Sequence, residues 1–197
     1  MATVIADRFY TPEDLLELPE GKQFELIDGQ LLEKHMGLLE CRIAYLITGL
    51  IAAFVEPRQL GSGFGSELGY RCFPFAPMRI RKPDASFISS QRLIPDMFSE
   101  GFATIAPDLA IEVVSPHDLY CEVEAKIDEY LRAGVRLVWV INPDRHVVRV
   151  HRLDGSVSEV SRDGQLSGED VLPGFSTPVA PLFELPIARG DAGASSG

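Results

Sequence analysis

The stretch from Leu109 to Ile141 restricts the possible folds more than any other part of the chain. It opens on Leu109-Ala110-Ile111-Glu112-Val113-Val114 and closes on Leu137-Val138-Trp139-Val140-Ile141. Between them, Val123, Ile127, Tyr130 and Leu131 recur with the spacing of one buried helix face, and Gly134 stands where such a helix would end. A continuous apolar run such as Leu137–Ile141 belongs in a sheet covered on both faces, with Trp139 in the core. Strand, helix and strand in this order predict a parallel, right-handed crossover unit. Ser115-Pro116-His117-Asp118 has capping-box spacing and is expected to open the helix, with Ser115 as a cap rather than a nucleophile.

One residue breaks the pattern. Glu112 lies inside the apolar strand, and an ionised carboxylate there needs a partner, a proton or a metal. Side chains alternate along a strand, so Leu109, Ile111 and Val113 share one face and Ala110, Glu112 and Val114 share the other. Asp84, after Pro83, falls near the start of another expected strand, Lys82–Ile88. Lys126 lies three residues after Val123 and four before Tyr130, so it flanks the helix's apolar face and can carry its ammonium past the sheet. Two carboxylates on neighbouring strands suit a hard cation such as Mg²⁺, which takes oxygen ligands and keeps several waters. Such an ion polarises a phosphoryl oxygen and helps make hydroxide from water. A lysine nearby can orient or deprotonate that water and stabilise developing charge. Plainer readings stand beside these. Asp84 can be a polar strand start, Glu112 the partner of an arginine, Lys126 an exposed helix pair with Glu122, and Glu25 a strand-edge acid.

The rest of the chain supplies further elements. Thr11-Pro12-Glu13-Asp14 reads as a capped helix start. Phe24–Ile27 and Gln30–Glu33, joined by Asp28-Gly29, read as a hairpin. Apolar residues from Leu38 to Val55 have helical spacing, ending before Pro57. Gly61-Ser62-Gly63-Phe64-Gly65 does not fit a phosphate-binding loop and reads as a flexible turn. Glu67–Phe73 is expected as a strand, and His146–Arg152 as an antiparallel neighbour of Leu137–Ile141. Val171–Phe175 looks like a packed closing segment next to a small terminal hairpin. His35 and His117 are isolated and read as loop or cap residues. The expected organisation is an arm at 1–8, a single domain over 9–185, and a disordered tail at 186–197.

Composition bounds the function classes. The chain of 197 residues is 46% hydrophobic, enough for a packed core. No secretory leader is apparent at the N-terminus, and no apolar stretch is expected to cross a membrane. Cys41, Cys72 and Cys121 are scattered, which points away from disulfides and zinc and towards a reducing cytoplasm. The net charge of −11 argues against a globally basic nucleic-acid surface. Locally, Arg71, Arg79, Arg81 and Lys82 fall in an acid-free stretch. They form either a solvated loop or edge strand, or a phosphate-tracking strip leading to Asp84.

The segments PEGKQFELIDGQLLEKHMG, RKPDASFIS, PDLAIEVVSPHD, KIDEYLRAGVRLVWVINPDRHVVRVHR and DVLPGFSTPV resemble the Uma-two type restriction endonucleases. These are a branch of the PD-(D/E)XK nuclease superfamily, and the likeness runs from about Phe9 to Phe183. The resemblance implies an α/β fold, in detail an α+β mixed sheet flanked by helices. Its restriction-endonuclease-like core would carry N-terminal and C-terminal β additions. It implies a Mg²⁺-dependent nuclease, with Mn²⁺ as a substitute, cleaving nucleic acid, DNA first among candidates; together with the long apolar helix Leu38–Val55 it points to a homodimer. Asp84 then matches the PD aspartate and Glu112 the (D/E) element, with metal held by Asp84, Glu112 and Val113. Val114 stands where the superfamily lysine usually sits, Lys126 resembles this branch's relocated lysine, and Glu25 resembles a further site acid. The alternative is a catalytically silent nuclease-fold module for nucleic-acid binding or assembly.

Overall fold

The computed structural model describes residues 4–5, 8–34, 36–99, 101–116 and 118–186. His35, His117 and the expected tail from 187 onward lie outside the described residues, as does most of the expected arm. The strands are β1 (Val4–Ile5), β2 (Phe24–Ile27), β3 (Gln30–Glu33), β4 (Gly61–Gly65), β5 (Ala85–Ser89), β6 (Leu109–Val113), β7 (Leu137–Asn142), β8 (Val147–Arg152), β9 (Val157–Val160), β10 (Gln165–Ser167) and β11 (Ser176–Pro178). The helices are α1 (Pro12–Glu17), α2 (Leu38–Val55), α3 (Tyr120–Arg132) and α4 (Ala180–Phe183).

Six strands form the central sheet in the order β4-β5-β6-β7-β8-β9. The expected crossover is present: β6 and β7 pair in parallel, with Glu112 opposite Val140, and α3 connects them. The other neighbouring pairs in this sheet are antiparallel. Alternation divides β6 as read from the sequence. Leu109, Ile111 and Val113 enter the core that α2 covers, together with Trp139, Ile141 and the closing residues Leu172 and Phe175. Ala110 enters the opposite core with Val138, Val140, Ile127 and Tyr130 of the α3 side. Glu112 therefore projects towards α3.

A smaller sheet, β1-β3-β2, stands beside the central one. Its β2–β3 hairpin turns at Asp28 and Gly29, both with positive φ (50° and 82°), as a tight two-residue turn requires. A bridge from Leu26 to Ile80 joins this hairpin to the chain leading into β5. The capping box at Thr11 and Asp14 opens α1 as expected. A third sheet, β10-β11, is the terminal hairpin.

Several expectations are corrected. The glycine-rich segment 61–65 is an edge strand, β4, and not a flexible turn. A side chain at Gly61, where φ is +148°, would place its Cβ 2.2 Å from the Ile88 carbonyl oxygen. Glycine is used there for close backbone approach, which removes the usual strand signal. Glu67–Phe73 forms no strand, and its Tyr70 makes only isolated bridges to Arg81 and Ala103. The strand expected from Lys82 begins at Ala85. Ser115–Asp118 does not open α3. The Asp118 carboxylate accepts the Ser115 N–H at 2.8 Å in a turn, and the helix starts at Tyr120 without a side-chain cap.

Contrary to the reading of apolar lengths, α2 has 18 residues and a mean hydropathy of 1.8, long and apolar enough to cross a membrane. Its Ile43, Ala44, Ile47, Ile51 and Val55 are instead packed into the core of the central sheet. That stripe is about a third of the helix and faces the sheet, and the rest of α2 is turned outward.

Candidate active site

Asp84 and Glu112 meet because β5 and β6 are adjacent and antiparallel, with Ala85 opposite Ile111. The Asp84 N–H donates to the Ile111 carbonyl at 2.9 Å, which seats the aspartate beside the C-terminal end of β6. Both side chains line one cleft of about 370 Å³, with Glu25, Lys34, Val114 and Lys126 also in its wall. The sequence-derived quartet of Asp84, Glu112, Lys126 and Glu25 is thus gathered in one place.

Glu112 has partners. Its Oε1 accepts from the Tyr130 hydroxyl at 2.7 Å, and its Oε2 accepts from Lys126 Nζ at 3.2 Å. Burial, the largest influence, raises the Glu112 carboxyl above its ordinary range; Lys126 pulls it back and the nearby Asp84 charge raises it again. Lys126 is turned inward, 3.5 Å from Glu25 as well, and is 17% exposed. Burial alone would lower its pKa, but Glu112 and Glu25 outweigh that and hold it above the ordinary lysine value. It is therefore an ammonium, a donor and a charge stabiliser.

Asp84 accepts the Val113 N–H at 2.7 Å on Oδ2 and the Lys34 ammonium at 2.7 Å on Oδ1. Lys34 also donates to the Lys82 carbonyl at 2.5 Å. The small sheet places Lys34 there. Glu25 pairs with Leu32 across the hairpin, and Lys34, two residues on, follows the same cleft-facing parity.

Glu25 is fully buried and its two oxygens are taken by the Lys82 N–H and Arg81, each at 2.9 Å. Burial would raise this carboxyl, yet Lys126, Arg81 and Lys34 together hold it down at about 2. Glu129 grips Arg81 with both oxygens, at 2.7 and 3.0 Å, and also takes Arg79 at 2.5 Å. Glu25 and Glu129 thus hold the floor of the cleft in place through Arg81.

The four cations read as a basic strip do not form one. Arg81 is 4% exposed and Lys82 is 3% exposed. Lys82 donates to the Gly21 carbonyl at 2.7 Å, and burial lowers its pKa to about 8. Arg79 also pairs with Asp28 at 2.8 Å, and Arg71 with Glu13 at 2.8 Å. Two are buried and all four are engaged, so this run presents no free phosphate track. Their partners lie far away in sequence, which local composition cannot reveal.

Sequence reasoning missed Lys34, Tyr130 and Glu129. Tyr130 was open to detection, since it lies four residues after Lys126 on one helix face. Nothing local marks Lys34 or Glu129, whose partners are brought in by the tertiary fold.

Among the described residues, no group of three or more His, Cys, Asp or Glu side chains is arranged to hold a metal. The donor set nonetheless suits a hard divalent ion in one specific way. Asp84 and Glu112 would be its carboxylates and water would supply the rest, as is usual for Mg²⁺. Val113 could add only its main-chain carbonyl oxygen to such an ion, and its N–H orients Asp84.

Comparison with known proteins agrees with this architecture. One solved structure, described as a "putative nuclease belonging to DUF820" from Anabaena variabilis, superposes with a TM-score of 0.73 at 26% identity. The match covers 88% of this chain and 97% of that one. A search of curated proteins found no match. Residues 12–180 match the Uma2 family, described as "Putative restriction endonuclease". With that match spanning most of its length, the chain belongs to the Uma2 family.

Proposed function

We propose that this chain is a divalent-metal-dependent endonuclease that hydrolyses phosphodiester bonds of nucleic acid, DNA being the first candidate. The observation that supports this best is the cleft itself: Asp84 and Glu112 from adjacent strands, with Lys126 3.2 Å from Glu112. The family description and the relative from Anabaena variabilis point the same way. Mg²⁺ or Mn²⁺, when bound by Asp84 and Glu112, would polarise a phosphoryl oxygen and favour ionisation of the attacking water. Val113 fixes one Asp84 oxygen, leaving the other towards the cleft once Lys34 withdraws. Lys126, held as an ammonium, stabilises negative charge developing on the phosphate and orients water; it is not poised to abstract a proton. Glu25 and Glu129 act through Arg81 as positioning residues.

A second reading has its own observation. Each buried carboxylate at the cleft already has a cationic partner, as a binding or assembly module without turnover would also allow. The two separate cleanly by assay. Purified protein is incubated with supercoiled plasmid and with DNA and RNA oligonucleotides, in Mg²⁺, in Mn²⁺ and in chelator. The nuclease reading expects metal-dependent nicking that chelator stops and that Glu112→Gln abolishes. Absence of cleavage across the whole panel favours the silent module, and cleavage of RNA alone corrects the substrate.

A further inference from the structure

We infer that the groove between α3 and β8 is a subsite for one unstacked nucleobase and its phosphate, next to the catalytic cleft. This rests on the nuclease reading above and extends it to how a strand is held. The groove has a volume of about 170 Å³ and shares Val114, Ser115, Asp118 and Val123 with the catalytic cleft. A strand with its scissile phosphate at Asp84 and Glu112 can therefore pass directly into it. Pockets for whole small molecules run to roughly 300–1,000 Å³, so this groove suits a single planar ring with the rest of the nucleotide outside.

The fold explains why the groove exists. On β8, Val147, Arg149 and His151 share one face, opposite Asn142, Val140 and Val138 of β7. Val138 and Val140 are covered by α3 through Ile127 and Tyr130. The same face continues onto β8, beyond the helix, and the groove lies along that step. Its floor is apolar, built from Val140, Val147 and Ile127.

Among the described residues, His151 is the one histidine in the groove's lining. It is 8% exposed, lines the groove, and its Nε2 is buried without a hydrogen-bond partner among the described residues. Buried polar nitrogens are nearly always satisfied, and an unsatisfied one costs stability. Nε2 itself has almost no exposed surface, so a base entering the groove would turn the imidazole to take this nitrogen on its edge. Burial lowers the His151 pKa, against the pull of Glu124 and with the help of Arg149, so the ring is neutral and not an anion hook.

The rim supplies the other two parts of a nucleotide site. Tyr120, at the first position of α3, lines the groove and is 70% exposed, which leaves its face open for stacking on a base. Arg145 and Arg149 share a single acid, Glu159, at 3.3 and 3.4 Å. Glu124 and Asp118 also line the groove, so a phosphate would meet these two guanidiniums at the solvent-facing rim and not in the groove itself. Arg79, Arg81 and Lys82 are already engaged by carboxylates and carbonyls, whereas this pair is solvent-facing and beside the cleft. Extrusion of a base into a side pocket is a known way for enzymes acting on nucleic acid to hold a strand.

The test uses the full chain in chelator, so that no metal or cleavage is involved. The His151 imidazole signals are followed by NMR during titration with each of four deoxynucleoside 5′-monophosphates, with thymidine, and with inorganic phosphate. Nucleotides are expected to shift the His151 signals, thymidine to shift them only at higher concentration, and phosphate to leave them unmoved. Arg149→Ala should weaken nucleotide binding roughly tenfold or more, as loss of a charge-assisted hydrogen bond does. His151→Phe keeps a ring and removes the unpaired nitrogen, so it should lose nucleotide binding with its melting temperature held or raised. Unmoved His151 signals at saturating nucleotide, or equal shifts with phosphate alone, overturn the subsite. Plasmid cleavage by wild type without any His151 response overturns the subsite and keeps the nuclease. Nucleotide binding at His151 without cleavage of any substrate overturns the nuclease and keeps the subsite.

Discussion

Lys34→Met is the perturbation that best separates a metal site from a purely structural charge cluster. Lys34 donates to Asp84 at 2.7 Å, with the two side chains only 13% and 4% exposed. Removing one partner of a buried pair costs about 3–5 kcal/mol, because the other charge is stranded. The low end applies here, since Asp84 keeps the Val113 N–H on its other oxygen. A loss of about 3 kcal/mol lowers the melting temperature by roughly 6–12 °C in a chain of this size. With metal the sign reverses. In the wild type an ion must displace the ammonium from Asp84, and a hydrogen bond between charged groups is worth about 1.5–3 kcal/mol. Lys34→Met should therefore bind Mn²⁺ roughly tenfold to a hundredfold more tightly. Saturating Mn²⁺ at about a hundred times its dissociation constant then returns about 2.7 kcal/mol, close to the stability lost. The assay is a pair of melting curves with and without Mn²⁺, alongside calorimetric titration of the metal. A destabilised variant whose Mn²⁺ affinity equals or falls below that of wild type would refute displacement, and an undisturbed melting temperature would refute the ion pair itself.

Lys126→Ala should keep Mn²⁺ binding by calorimetry while cleavage falls by about 10²–10³-fold, the range for removing one donor that stabilises developing negative charge. Loss of metal binding together with activity would make Lys126 a structural support of Glu112. The depressed Glu25 carboxyl contributes stability that is fully present above about pH 4.5 and is lost as pH falls towards about 2, so acid melts of wild type should steepen in that window and those of Glu25→Gln should not. A homodimer is expected to form through the outer face of α2, where Leu38 is 91% and Tyr45 78% exposed. Light scattering should give twice 21.7 kDa for wild type and 21.7 kDa for Tyr45→Lys, and a concentration-independent wild-type monomer removes the proposal.

What the sequence made legible was periodic. The β6–α3–β7 unit was readable because period two on the strands and a helical stripe between them are local patterns. The same alternation placed Glu112 on the α3 face and so brought it to Lys126. The tight turn at Asp28-Gly29 was readable because few residues tolerate its φ values. Illegible parts depended on distant contacts or on absence of a side chain. Gly61 hides β4, because the close approach that demands glycine also erases the strand signature. Arg81 read as surface charge because its partners, Glu25 and Glu129, are separated from it by 56 and 48 residues. Lys34 is invisible for the same reason, lying 50 residues from Asp84.

The cleft's buried charges call for a reason beyond stability. Replacing a buried ion pair by packed apolar residues is often neutral or stabilising. The central sheet shows that this chain can fill such positions with Val, Ile and Ala, as it does at Ala110, Val138 and Val140 on the same face. At Glu112, between Ile111 and Val113, it instead keeps a carboxylate that burial pushes towards protonation, and supports it with Lys126 and Tyr130. Glu25, Arg81 and Glu129 then hold the neighbouring backbone, so one polar choice on β6 is matched by polar choices on β2, α3 and the segment before β5. A local rule broken once is an accident of packing; broken in register across four segments that converge on one cleft, it is the arrangement expected where chemistry sets the residue types.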